Sequence, residues 1–190
     1  MDLIPLVDRH TALLLATAEN LDSAGTASLC PGWTRGHILT HVARNADGLT
    51  RLARAALEGT GETMYASTER RDEEIDAGAG RSLPDLVEDV RSSAAELRRW
   101  LARVDPSSEV LLERTPGGPT LRAGVLAFLR IREVVYHHAD LDAGFGFEDV
   151  EEDLVALFLR DEVTRLAPAA RVEELWRLGR GVERGHPSGP

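Results

Sequence analysis

The sequence predicts an all-α protein: a four-helix bundle with long connections and a short helical extension at its C-terminal side. Three observations carry this. Hydrophobic residues make up 43% of the chain but aromatics only 5%, and Ala and Leu dominate, which favours helices packed on helices over a β-sandwich. Apolar residues recur every three to four positions through four long stretches, the period of one helix face. No stretch alternates convincingly enough to read as a strand, and two of the four connections are long.

The totals bound the rest. With 190 residues the chain makes one ordinary domain. Its net charge of −10 offers no basic field to nucleic acid, so that class of partner is not expected. All 22 basic residues are Arg, which reads as codon usage in a GC-rich genome. Cys30 is the one cysteine, so no internal disulfide can form. The opening MDLIPLVDRH lacks the basic start of a signal peptide, and no apolar run nears the ~20 residues of a membrane span. A soluble cytoplasmic protein, monomer or homodimer, is the expectation, with no membrane partner.

Taken in order, residues 2–22 form the first helix, with Leu3, Leu6, Leu13, Leu14, Ala18 and Leu21 as its stripe and Pro5 early, where a helix tolerates it. Residues 23–32 are a Gly-, Ser- and Pro-punctuated loop. Thr34 is an N-cap for a second helix to about Leu57, with Ile38, Val42, Ala46 and Leu49 facing the core. Residues 58–83 are polar and long for a plain connection, and Asp72–Asp76 adds a short helix within it. Its acidic run, Glu69–Asp76, reads as a solvated surface. Pro84 starts a third long helix, to about Val104, with Leu86, Val90, Ala94, Leu97 and Leu101 as its stripe. Residues 105–119 form a second loop, and Leu121–Leu141 the fourth long helix. A fifth, over 151–167, carries Leu154, Leu157, Phe158 and Val163 until Pro168 breaks it. A short helix, Val172 to Leu178, leads into a tail without a core of its own.

The fourth long helix carries the chemistry. Leu129, Glu133, His137 and Leu141 recur every four residues and share one face, amid the apolar Val125, Phe128, Ile131 and Val134. A carboxylate and an imidazole one turn apart beside a buried face need a partner or an ion. On the second helix His37 and His41 stand four residues apart on the flank of the stripe. Facing helices of a bundle build metal sites from such residues. His41, Glu133 and His137 would make a set of two imidazoles and one carboxylate with positions left open, which is catalytic in type. Zinc comes first; Fe(II), Ni(II) or Co(II) suit the same donors. Spacing alone leaves His37 open as the ligand, or as a hydrogen-bond donor that supports one. It also leaves a plain hydrogen-bonded Glu/His pair as the more common reading. His138 lies about 100° around the helix from His137 and is expected to be the more exposed. Cys30 could be a nucleophile, but no base lies near it in sequence, and a small apolar loop residue is the better reading.

Residues 31–43, Pro-Gly-Trp-Thr-Arg-Gly-His-Ile-Leu-Thr-His-Val-Ala, resemble the second-helix signature of the mycothiol-dependent maleylpyruvate isomerases, within the larger DinB-like family of metal-binding four-helix bundles. Arg132-Glu133 through His137, followed by Ala139-Asp140-Leu141, resembles the family's fourth-helix signature. Met64-Tyr65-Ala66-Ser67 with Arg71-Asp72-Glu73-Glu74-Ile75 resembles a loop of the isomerases themselves. The likeness covers about residues 10–165. It implies a DinB-like bundle over residues 1–167, with His41 rather than His37 joining Glu133 and His137 on a divalent metal. Family members carry a second, smaller domain after the bundle; the residues beyond Leu166 are too few for it, so 168–190 are read as a short tail in its place. Gly179-Arg180-Gly181 in that tail resembles a family segment whose arginine contacts substrate, which makes Arg180 the candidate catalytic residue.

The activity so implied is a metal- and mycothiol-dependent cis-trans isomerisation of an unsaturated keto acid, maleylpyruvate to fumarylpyruvate in type. The partners are a small acidic substrate and a low-molecular-weight thiol. Arg180, or Arg44 of the second helix, would grip a substrate carboxylate. One alternative is a mycothiol-dependent S-transferase acting on an electrophilic metabolite or xenobiotic. The other is a non-enzymatic, ligand-binding bundle whose histidines are merely satisfied in the core.

Overall fold

A computed structural model describes residues 1–166. The elements are α1 (Ile4–Ala18), α2 (Arg35–Glu58), α3 (Thr68–Ala79), α4 (Leu83–Leu101), β1 (Leu111–Glu113), β2 (Thr120–Arg122), α5 (Leu126–Asp140) and α6 (Glu152–Leu166). Helices α1, α2, α4 and α5 form the bundle: α2 lies against α4 and α5, and α1 against the same two. No helix among the described residues is long and apolar enough to cross a membrane.

The chain divides into two units, Met1–Phe147 and the residues from Glu148 onward. The first holds the whole bundle. The described part of the second is α6, preceded by the 3₁₀ turn Phe147–Asp149 that spans the boundary. Leu154 and Phe158 stand one turn apart on α6, while Leu159 and Val163, the latter expected on its apolar stripe, are exposed.

The bundle interior has two clusters. One joins Leu14 and Ala18 of α1, Ile38, Leu39 and Val42 of α2, Leu86 and Val90 of α4, and Val134 of α5. The other joins Leu49, Leu52 and Ala53 of α2, Leu97 and Leu101 of α4, and Leu126 of α5. The stripes expected for α2 and α4 face this interior, whereas Leu13, expected in the stripe of α1, is exposed and Val7 and Leu15 are buried instead; burying each such side chain is worth about 1.5–3 kcal/mol.

Local signals fix the helix starts. Thr34 caps α2 with a capping box: its hydroxyl accepts from the His37 N–H, and its own N–H donates to His37 Nδ1 at 3.1 Å. Ser67 and Ser82 cap α3 and α4. Gly59 ends α2 at φ +68, in the left-handed region.

Three expectations change. The acidic stretch is not a short helix over 72–76 but the twelve-residue α3, because the Ser67 cap starts it a turn earlier. Residues 121–125 are not the start of the fourth long helix. They form β2 and a 3₁₀ turn, because the Ala123 N–H donates to Val110 O at 2.8 Å and the Gly124 N–H to Ser108 O at 3.1 Å. Val125 is thereby exposed and Phe128 only half-buried. Finally, β1 and β2 pair antiparallel, Leu112 opposite Leu121, around the Thr115–Thr120 turn. Strands of three residues are too short to show alternation.

The hairpin organises the loop after α2: the Met64 and Tyr65 N–H groups donate to Glu113 O and Arg114 O. Helix α3 lies directly on α2. A Cβ on Gly36 would overlap the Ala79 carbonyl oxygen at the end of α3, so only glycine permits this approach. Gly36→Ala is therefore expected to lower stability by about 1–3 kcal/mol, against almost no change for Gly25→Ala, where the Cβ would make only an ordinary contact with Ser23 Oγ at 3.5 Å. Urea titration of both variants checks this.

Candidate metal centre

Glu133 of α5 and His41 of α2 meet across the bundle, with His41 Nε2 3.0 Å from Glu133 Oε2. The same carboxylate oxygen lies 3.5 Å from His137 Nε2, one turn along α5. One ligand atom from each of the three residues falls within 4.8 Å of the others. The imidazoles meet edge to face, with centroids 4.6 Å apart. Side-chain exposures of 10% for His41, 22% for Glu133 and 17% for His137 put the cluster at the edge of the core, still reachable from outside.

Surrounding groups hold these side chains. Asp140 Oδ2 lies 2.8 Å from His137 Nδ1, which turns Nε2 toward Glu133. A carboxylate on the far nitrogen is the usual outer support of a metal-ligating histidine. Trp33 faces the cluster, its ring 5.4 Å from His41 and 6.4 Å from His137. Leu29 N–H donates to the Asp140 carbonyl, and Arg35 donates to the Leu141 and Asp142 carbonyls. The loop before α2 is thus stapled to the end of α5.

The electrostatics follow. Burial works against ionised Glu133, but the hydrogen bonds from His137 and His41 hold its carboxyl well below the usual carboxylate range. Burial also opposes charge on His137, yet the bonds to Asp140 and Glu133 push it up to about 9. His41 moves down, chiefly through burial, and so favours the neutral ring.

The donor set fits a divalent ion such as Zn²⁺: two imidazole nitrogens and one carboxylate oxygen converge, and one imidazole is already braced. His41 lacks such a brace; its buried Nδ1 has no hydrogen-bond partner among the described residues. Cys30, His137 and Asp140 form a second convergent group. It fits worse, because burial and the hydrogen bond to Asp140 push the Cys30 thiol up to about 11, and a ligating sulfur must be deprotonated.

The other sequence candidates fall out differently. His37 Nδ1 is engaged in the α2 cap, which accounts for this histidine without a metal. Cys30 Sγ donates to Asp140 at 3.2 Å, and burial with that bond keeps the thiol protonated rather than activated. His138, expected on the exposed side, is 2% exposed. Its Nε2 bonds Thr17 Oγ1 at 2.7 Å and its ring stacks on Phe145, because that side of α5 faces α1. Arg44 is committed to Asp47 and Asp89 and is not available to a substrate. Arg180 lies outside the described residues. Sequence reasoning missed the roles of Asp140 and Trp33; the His-x-x-Asp spacing, one turn on a helix, was the available signal for the former.

The raised pKa of His137 ties stability to pH. The unfolded ring loses its proton near 6.5, whereas the folded one keeps it until about 9. The metal-free protein should hold the full contribution below pH 6.5 and lose it as pH rises through 9, by a few kcal/mol at about 1.4 per unit. Melting temperatures of chelator-treated protein between pH 6 and 9 should fall along this limb, and His137→Gln should flatten it.

The sequence model of the mycothiol maleylpyruvate isomerase N-terminal domain matches residues 6–142. Among curated proteins no sequence matches significantly. Two solved structures superpose on the chain, both at 30% identity, each covering 82% of this chain and 67% of the other. One is the crystal structure of the mycothiol-dependent maleylpyruvate isomerase, at a TM-score of 0.75. The other is a variant of it with a histidine replaced by alanine, at 0.74. On its sequence and its fold alike, this chain belongs to the mycothiol maleylpyruvate isomerase N-terminal domain family.

Proposed function

We propose that the chain is a metal- and mycothiol-dependent cis-trans isomerase of an unsaturated keto acid, of the maleylpyruvate type. The observation that carries this is the convergence of His41, Glu133 and His137 on one point at the edge of the core. These three would hold the divalent ion, zinc first. Bound there, the ion would supply Lewis-acid polarisation, lowering the pKa of a coordinated thiol so that a thiolate nucleophile is present at neutral pH. The bundle over residues 1–167 would be the metal-binding unit, with 168–190 as its tail.

The chain's own residues would orient and retain the acidic substrate. A cleft of about 640 Å³ is lined by Tyr65, Arg51, Arg70 and Arg71, together with Glu62, Glu74 and Glu113. The charge of Glu133 acts on Tyr65 and that of Arg71 on His41, so this cleft neighbours the three candidate ligands. Arg51 is engaged with the Met64 carbonyl, and Arg70 with Glu73 and Glu74. Among the described residues Arg71 has an ion pair only with its neighbour Asp72, whose side chain is 53% exposed. Such a surface pair is worth about 0–1 kcal/mol and is readily exchanged for a substrate carboxylate. Arg71 is thus the carboxylate contact we favour among the described residues, with Arg180 of the tail as a second. Burial pushes the Tyr65 hydroxyl up to about 12, so it stays protonated and can donate a hydrogen bond toward substrate.

The cleft is roomy for so small an acid, which favours a mycothiol S-transferase as the second reading. Accumulation of a stable thioether with an electrophilic acceptor, in place of an isomerised product, would select it.

Two outcomes are expected. Purified protein should bind about one equivalent of Zn²⁺ and isomerise maleylpyruvate only with mycothiol present, and His41→Ala should lose both metal and turnover. Full-rate isomerisation without any thiol would refute the proposal. Arg71→Met should raise KM for the acid about 10- to 100-fold, the value of one charged contact, while leaving bound zinc unchanged. Steady-state kinetics with metal analysis checks this.

A further inference from the structure

The groove between α1 and α4 lies apart from the three candidate ligands. It encloses about 210 Å³, lined by apolar side chains that include Val7, Leu15, Leu97 and Leu101. That is larger than the roughly 150 Å³ apolar cavity known to take benzene. Five polar residues also line it: Asp8, Thr11, Arg91, Arg98 and Arg130.

Arg130 is the unusual one. It is 1% exposed, the largest fully buried side chain among the described residues. Its Nη1 donates to Val42 O at 2.8 Å and to Asn45 Oδ1 at 2.9 Å, both neutral oxygens. Its Nη2 is buried with no hydrogen-bond partner, and so is Thr11 Oγ1. The cations at the groove's edge are already matched, Arg98 with Asp8 and Arg91 with Glu19 and Glu88. Glu133 and Asp47 act on Arg130 only through space. A buried guanidinium without a bonded anion is costly, and natural interiors either pair such a group or give it a ligand.

We propose that this groove binds a small apolar monocarboxylate, aromatic or short-chain aliphatic. Its carboxylate would take hydrogen bonds from Arg130 Nη2 and the Thr11 hydroxyl, and its hydrocarbon part would lie among Val7, Leu15, Leu97 and Leu101. The charge matches the one unneutralised cation, and the apolar walls match the rest of the ligand. A dianion or a phosphate would leave charge against those walls. The site does not depend on the isomerase reading.

The test uses benzoate, titrated calorimetrically into chelator-treated full-length protein, with benzyl alcohol as its uncharged counterpart. One-to-one binding with a Kd of about 0.1–1 mM is expected, and benzyl alcohol should bind at least about tenfold more weakly. Ala94→Phe, which fills the groove, and Thr11→Val, which keeps its shape, should each weaken benzoate about tenfold or more. Both leave Arg130 in place, since Arg130→Met risks misfolding. His41→Ala should bind benzoate normally. Binding that does not saturate by about 10 mM, that ignores Ala94→Phe, that is equal for benzyl alcohol, or that disappears in His41→Ala would overturn the proposal.

Discussion

Everything near the centre of this bundle depends on one carboxylate. Glu133 is an acid on a helix whose neighbours are largely buried, and an isolated ionised carboxylate could not stay there. Two imidazoles keep it ionised, His41 across the bundle and His137 one turn along its own helix. The three side chains need α2 and α5 at a fixed spacing and rotation. The buried contacts of Val42, Leu39 and Val134 set that geometry, and the loop stapled to the end of α5 maintains it.

The same need for compensation is met differently along α5. His137 and Asp140 form a pair that braces one candidate ligand and, by holding the Cys30 proton, keeps that thiol inert. His138, one residue on, packs against Phe145 and bonds Thr17. Arg130 is the exception: fully buried, bonded to neutral oxygens and short of an anion. One helix therefore contributes to two candidate sites, because its opposite sides face different partners in the bundle.

The cleft beside Tyr65 and Arg71 is assembled from pieces far apart in sequence. The β1–β2 hairpin fixes Met64 and Tyr65 by backbone hydrogen bonds. Helix α3 brings Arg71 over α2 because Gly36 has no side chain to hold it off. Variation in this hairpin and in α3 could alter substrate choice while leaving His41, Glu133 and His137 in place.

The helices, their stripes and the Thr34 cap were legible in the sequence, since periodicity and capping are local properties. So was the pairing of Glu133 with His137, which needs only the pitch of one helix. His41 could be chosen over His37 only by resemblance; the fold supplies the reason, as His37 is taken up by the α2 cap. The tertiary structure alone decided that His138 is buried, that residues 121–125 leave the helix, that Arg44 is spent on Asp89 and that Arg130 has no bonded anion among the described residues. Each of these depends on what a neighbouring segment presents, a carboxylate, a carbonyl or an apolar wall. Spacing along one chain carries no record of that.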